Sequence, residues 1–266
     1  MCVRSLGWAI VFGLVASSAA AQSPPTAVQD RQFVFSVSTP PADARHTTVT
    51  VDSGFGARAF DVTDGDGPEQ RFGVQAALGR RLTFLGRIGV SSGEGDIRSS
   101  QQGELLYSVL ESPKKRGSLA VGLGMRHEST GTNVLLGRVA AGRAFSAWRF
   151  DGNALFEKPF SIDRDAVDLI TSIGVSRQVA PFLRAGIEVI GEDLEGFWDA
   201  EEAEGGARIL VGPSLHIAPP AQRWQVGVAG GPMLHATRSG RSNDALRALP
   251  TSDSHYAVRV SMSYGF

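Results

Sequence analysis

The stretch that decides the fold is 254–266, SHYAVRVSMSYGF. Counting back from Phe266, apolar or aromatic residues fall at every second position: Tyr264, Met262, Val260, Val258 and Tyr256. Between them lie Gly265, Ser263, Ser261, Arg259, Ala257 and His255. A period of two is the mark of a strand with one apolar and one polar face. The stretch has about the ~10 residues that a tilted strand needs to cross a bilayer. An aromatic at the strand end is at home at the headgroup level of a membrane.

Working back toward the N-terminus, the same unit repeats from Thr48 onward: about ten alternating residues, then a turn cluster. Twelve strands are predicted. Their apolar faces include Val49–Val51–Phe55, Phe72–Val74–Ala76, Leu82–Phe84–Ile88, Leu105–Tyr107–Val109, Leu119–Val121–Leu123–Met125 and Leu135–Val139–Ala141. They continue with Trp148–Phe150–Phe156, Leu169–Ile173–Val175, Leu183–Ile187–Val189, Ile209–Val211–Leu215, Trp224–Val226–Val228–Leu234 and the terminal set. In the sixth strand Val134 and Leu136 compete for the apolar face.

The opposite parity carries the charges. Asp52, Arg58, Arg71, Arg87, Glu104, Arg126, Arg138, Arg149, Asp151, Arg184, Glu188, Arg208 and Arg259 are assigned to it as lumen-facing. All three tyrosines, together with Trp148 and Trp224, take the apolar parity. A soluble sandwich packs its aromatics inside and turns its charges to water. Twelve apolar faces with this many charges opposite fit a closed barrel with a polar lumen. The expected class is all-β, a transmembrane antiparallel up-and-down barrel over residues 47–266. An exported soluble β-sandwich is the alternative fold.

The connections support this independently. Segments 79–81, 112–117, 142–147, 178–181 and 218–223 are short. Segments 61–69, 91–100, 158–166, 192–206 and 236–254 are longer, with 129–132 the exception. Short periplasmic turns and long outer loops are the habit of outer-membrane barrels. Phe266 is then expected at the periplasmic end.

Composition fits. Of 266 residues 20% are charged, too polar for a bundle of membrane helices, and the 32 glycines suit a curved sheet better than long helices. A net charge of −1 gives no reason to expect a nucleic-acid partner. Residues 1–21 are expected to be a signal peptide: Arg4, an apolar core from Gly7 to Ala16, and cleavage after Ala21. The single cysteine, Cys2, would leave with it, which removes thiol chemistry, disulfides and Cys–metal sites from the mature chain. Residues 22–46 hold the alternating Phe33, Phe35 and Val37, then the breaker TPPADARH, and are expected to form a periplasmic segment or a partial plug.

Signal, alternation and terminal YAVRVSMSYGF together resemble Gram-negative outer-membrane β-barrel proteins over nearly the whole chain. The resemblance implies the cell outer membrane as location and outer-membrane lipid as surroundings. It also implies an assembly signal at Tyr256, Val258, Val260, Met262, Tyr264 and Phe266, read by the barrel-assembly machinery.

The sites open to chemistry are few. His235 and His255 flank the last long loop and are weak metal candidates without a third ligand. Ser214 and His216 lie on one face of a strand, in parallel rather than facing each other, which argues against an outer-membrane hydrolase acting on lipid. DVTDGDG at 61–67 lacks the glutamate that a calcium loop needs at its twelfth position. The 192–204 loop is acidic, with Phe197 and Trp198 inside it. No cofactor is expected. The expected function is non-enzymatic: a small-solute pore with anion preference, because the lumen parity carries more arginine than acid.

Overall fold

The computed structural model describes residues 33–38, 47–56, 67–79, 81–93, 96–112, 117–160, 167–197, 207–236 and 256–266. Outside these lie the signal peptide, Arg58, His255, Trp198 and the acidic residues 199–204, as well as residues 61–66 of the DVTDGDG stretch.

Twelve strands close into one antiparallel barrel, each hydrogen-bonded to its neighbours in sequence, with the last returning to the first. They are β1 (Thr47–Gly56), β2 (Glu69–Ala77), β3 (Leu82–Gly93), β4 (Asp96–Ser112), β5 (Gly117–Glu128) and β6 (Asn133–Phe145). They continue as β7 (Trp148–Pro159), β8 (Asp168–Ala180), β9 (Leu183–Glu192), β10 (Ala207–Ile217), β11 (Trp224–Ala236) and β12 (Tyr256–Gly265). Full closure excludes the two-sheet sandwich. It also removes the unpaired edges that an open sheet exposes. The only helical element among the described residues is a 3₁₀ turn, Leu194–Phe197, in the β9–β10 connection.

The parity of the faces follows the period-two pattern. Leu105 is 47% exposed and the adjacent Leu106 2%. In β6 Leu135 points outward, while Val134 and Leu136 point inward and are fully buried. Aromatic residues mark two levels on the outside. Trp148, Trp224 and Tyr264 lie at the short-turn end, Phe55 and Tyr256 at the other. Two such girdles bracket the apolar band of a membrane barrel. Arg177 reaches over Trp148, 5.7 Å from the ring centroid, keeping its charge at the level where water begins.

The loop reading is corrected at one place. Segment 91–100 was expected to be a long loop, but β3 and β4 pair through to Gly93 opposite Asp96 and leave only 94–95 as the connection. Small polar residues continue both strands beyond the apolar band, where neither face needs to be apolar. With 129–132 this makes two tight connections at the long-loop end.

The seam between β1 and β12 runs from Thr48 opposite Gly265 to Gly56 opposite Ala257. Phe266 extends it: its N–H donates to the Thr47 carbonyl at 2.9 Å, and its ring meets Tyr264 edge-on at 5.0 Å. Deleting Phe266 is expected to lower the yield of heat-modifiable barrel, read by comparing unheated and heated samples on a gel. An unchanged yield would remove Phe266 from the assembly signal.

Candidate functional site in the barrel lumen

The inner wall is a set of ion pairs arranged by register. Arg126 on β5 donates to both carboxylate oxygens of Glu157 on β7, at 2.5 and 2.6 Å, and to Glu128 at 3.0 Å. Arg138 on β6 grips Glu104 on β4 at 2.7 and 2.8 Å. This second pair crosses β5, where Gly124 leaves the space: a Cβ there would come within 2.6 Å of Glu104 Cγ. Bidentate guanidinium–carboxylate pairs such as these are the stronger kind of hydrogen bond and fix geometry. Arg149 donates to Asp151 at 2.9 Å. Arg71 lies against Glu69 and Asp52 at 3.1 and 3.4 Å, and Arg259 against Glu69 at 3.4 Å.

Arg208 pairs with Glu192, directly opposite in register. The register leaves Glu188 opposite Gly212. Among the arginines named from sequence, Arg87, Arg149 and Arg184 are half-buried, and Arg184 donates to the Ser176 hydroxyl and the Ala147 carbonyl.

Sequence reasoning missed four buried acids: Glu69, Glu157, Asp168 and Glu192. Glu69, Asp168 and Glu192 stand at strand ends, and Glu157 two residues from one. The excess of arginine counted from sequence shrinks accordingly. Also missed were the inward apolar residues Leu85, Leu106, Ile190, Leu210 and Met233. Their signal was present as breaks in alternation: Leu105–Leu106, Val189–Ile190, Leu210–Val211, Met233–Leu234.

Residues 33–38 explain those breaks. This bent segment lies inside the barrel, and all of it but the half-buried Phe35 is buried. Its main chain is held by the wall. Val34 and Phe35 N–H donate to the two oxygens of Glu188, at 3.0 and 2.8 Å. Asn153 accepts from the Val37 N–H at 3.3 Å and donates to the Val37 carbonyl at 3.1 Å. Ser36 and Ser172 share a hydroxyl contact at 3.0 Å, and the Ser38 hydroxyl donates to Asp151 at 2.9 Å. Gln75 on β2 donates to the Ser38 carbonyl at 3.4 Å. The segment therefore touches strands on opposite sides of the lumen. One cavity beside it, between Ser36–Ser38 and β1–β3, measures about 30 Å³, room for a water molecule or so.

The other candidate chemistry gains little. His216 Nε2 lies 3.4 Å from Glu188 and its ring is edge-on to Phe33, whereas Ser214 Oγ has no hydrogen-bond partner among the described residues. Among the described residues Ser214 and His216 form no hydrogen bond with each other. His235 lies on β11 opposite Arg208, and His255 falls outside the described residues. Among the described residues no three His, Cys, Asp or Glu side chains gather as metal ligands.

A closed twelve-strand up-and-down barrel, apolar and aromatic-girdled outside and ionic within, is the architecture of an integral outer-membrane β-barrel protein. Solved structures of that class share the fold. The chain matches the KdgM porin at a TM-score of 0.53 and 9% identity, over 82% of this chain and 99% of that one. It matches the NanC porin at 0.54 and 11%, over 81% and 98%. An outer-membrane channel from Pseudomonas putida F1 matches at 0.52 and 10%, over 83% and 95%. No family model matches the sequence, and neither does any curated protein.

Proposed function

We propose that the protein is a non-enzymatic small-solute channel of the outer membrane whose lumen is closed by its own N-terminal segment. The observation that carries this is the seat of residues 33–38 across the lumen, bound from β2, β7, β8 and β9. A twelve-strand barrel is wider than the ~8-strand barrels that side chains alone fill, and narrower than open porins of ~16–18 strands. The signal peptide, the outer-membrane lipid surroundings and delivery by the barrel-assembly machinery belong to the same reading.

Cysteines test the closure directly, since Cys2 is the only native one. Ser36 and Ser172 touch through their hydroxyls. The oxidised double variant Ser36→Cys/Ser172→Cys should be silent in planar bilayers, and reductant should bring conductance that reoxidation removes. Identical currents in both states would overturn the gate.

The open channel is expected to be small and anion-preferring. A KdgM porin solved with oligogalacturonate shows that a barrel of this fold takes an anionic solute. Among the described residues Arg184 can supply the charge: its hydrogen bonds go to uncharged oxygens at 3.2 Å, with Asp151 as the acid acting on it. A fixed cation in a narrow aqueous path raises the local anion concentration. Arg184→Gln should lower the anion-to-cation permeability ratio, measured from reversal potentials in a salt gradient. A cation-selective channel before substitution would contradict the charge argument.

A further inference from the structure

We propose that the wall around residues 33–38 is a peptide-binding site, and that it takes a short peptide with apolar side chains at its first, third and fifth positions. This rests on the segment being able to leave the lumen, as in the channel reading above. The wall has three recesses at that spacing.

The first holds Phe33. Gly174 forms its floor, where a Cβ would fall 2.3 Å from Phe33 Cδ1, and His216 meets the ring edge-on with centroids 6.0 Å apart. The second holds Phe35 against the cluster of Ile190, Leu210, Met233 and Ala257, with the Arg259 guanidinium 4.9 Å from the ring centroid. The third holds Val37 between Leu85 and Leu106. Inward-facing leucine, isoleucine and methionine have no use in a water-filled solute path. They stabilise an apolar occupant.

Between the recesses the wall binds main chain. Both Glu188 oxygens take successive amides, and Asn153 takes the N–H and the carbonyl of one residue. These groups are common to every peptide, so affinity comes from the backbone and selection from the recesses, the division of labour seen in peptide recognition generally. The resident segment is joined to β1 through 39–46, which gives it a high effective concentration over any free peptide. A free peptide competes only when the resident contacts are weakened.

The test uses the full chain with Phe33→Ser/Phe35→Ser, refolded and shown to be heat-modifiable. The probe is a fluorescein-labelled peptide of residues 32–38, QFVFSVS. Anisotropy should rise saturably, and a peptide with serine at the two Phe and the Val positions should bind at least about tenfold more weakly. The oxidised Ser36→Cys/Ser172→Cys protein, its site filled, should bind neither. Absence of saturable binding by the folded variant, or equal binding of the two peptides, overturns the proposal. If the double variant does not fold, Phe35→Ser alone carries the same measurement. Bilayer recordings separate the two readings. A variant that binds peptide but never conducts supports the site and removes the channel. One that conducts without binding peptide does the reverse.

Discussion

Glu104→Leu should destabilise the barrel by about 3–5 kcal/mol, the usual consequence of breaking a buried ion pair from one side. The readout is unfolding by urea in lipid vesicles. Glu104 is 1% exposed and accepts from Arg138 twice and from Gln102 once. Leucine of similar volume removes all three acceptor contacts and leaves the guanidinium in the wall with Asn153 at 3.4 Å as its remaining side-chain acceptor. The stranded charge, rather than the lost attraction, sets the magnitude. Removing both charges avoids that cost, so Glu104→Leu/Arg138→Leu should lose less than either single variant. Additive losses would show that the two residues do not act as a pair.

Adjacent residues on β11 should respond in opposite ways. Val228 faces outward, opposite Leu215 and Val260 at mid-strand. Arginine there should cost roughly 2–4 kcal/mol, the range for a cation on the lipid face near the midplane. Gly227 faces the lumen, where a Cβ would lie 2.7 Å from His216 Nδ1 and 3.1 Å from Val34 Cγ2. Arginine at 227 should displace residues 33–38 and open the channel, with a smaller effect on unfolding. Equal unfolding costs at 227 and 228, with no current from either variant, would overturn the assignment of faces.

The strands were legible because a membrane barrel enforces alternation more strictly than a soluble sheet. Lipid tolerates almost no polar side chain on one face, and the lumen welcomes them on the other. The reading weakened where one of those two solvents was absent. In Ser91, Ser92, Ser99 and Ser100 small polar side chains stand on both parities, Ser91 and Ser100 buried and Ser92 exposed, so paired strand reads as loop. Glu69 and Glu192 stand at strand ends and fall inside the segments 61–69 and 192–206 read as loops, while Glu157 lies one residue before the 158–166 loop. Within the band, the alternation failed at Leu106, Ile190, Leu210 and Met233 because protein replaces water there. Phe33, Phe35 and Val37 matched in spacing, but spacing in one segment does not name its partner across the chain. The acids and arginines of the wall were visible by parity, whereas their pairing depends on register, which a sequence pattern leaves open.

The way the barrel closes imposes an order on events. Eleven of the twelve neighbouring pairs are local hairpins; the twelfth joins Thr48 to Gly265, near opposite ends of the chain. A contact at that separation carries the largest loop entropy and forms late. Until it forms, the nascent sheet is an open sheath with β1 at one lip, and residues 33–38 hang from that lip by the short stretch 39–46. They need not thread a finished ring. They can lie down on β7, β8 and β9 while the sheet is still curling and be enclosed when β12 arrives. In that order of events its contacts on β2 and on β7, β8 and β9 would join strands far apart in the sheet before the seam is sealed.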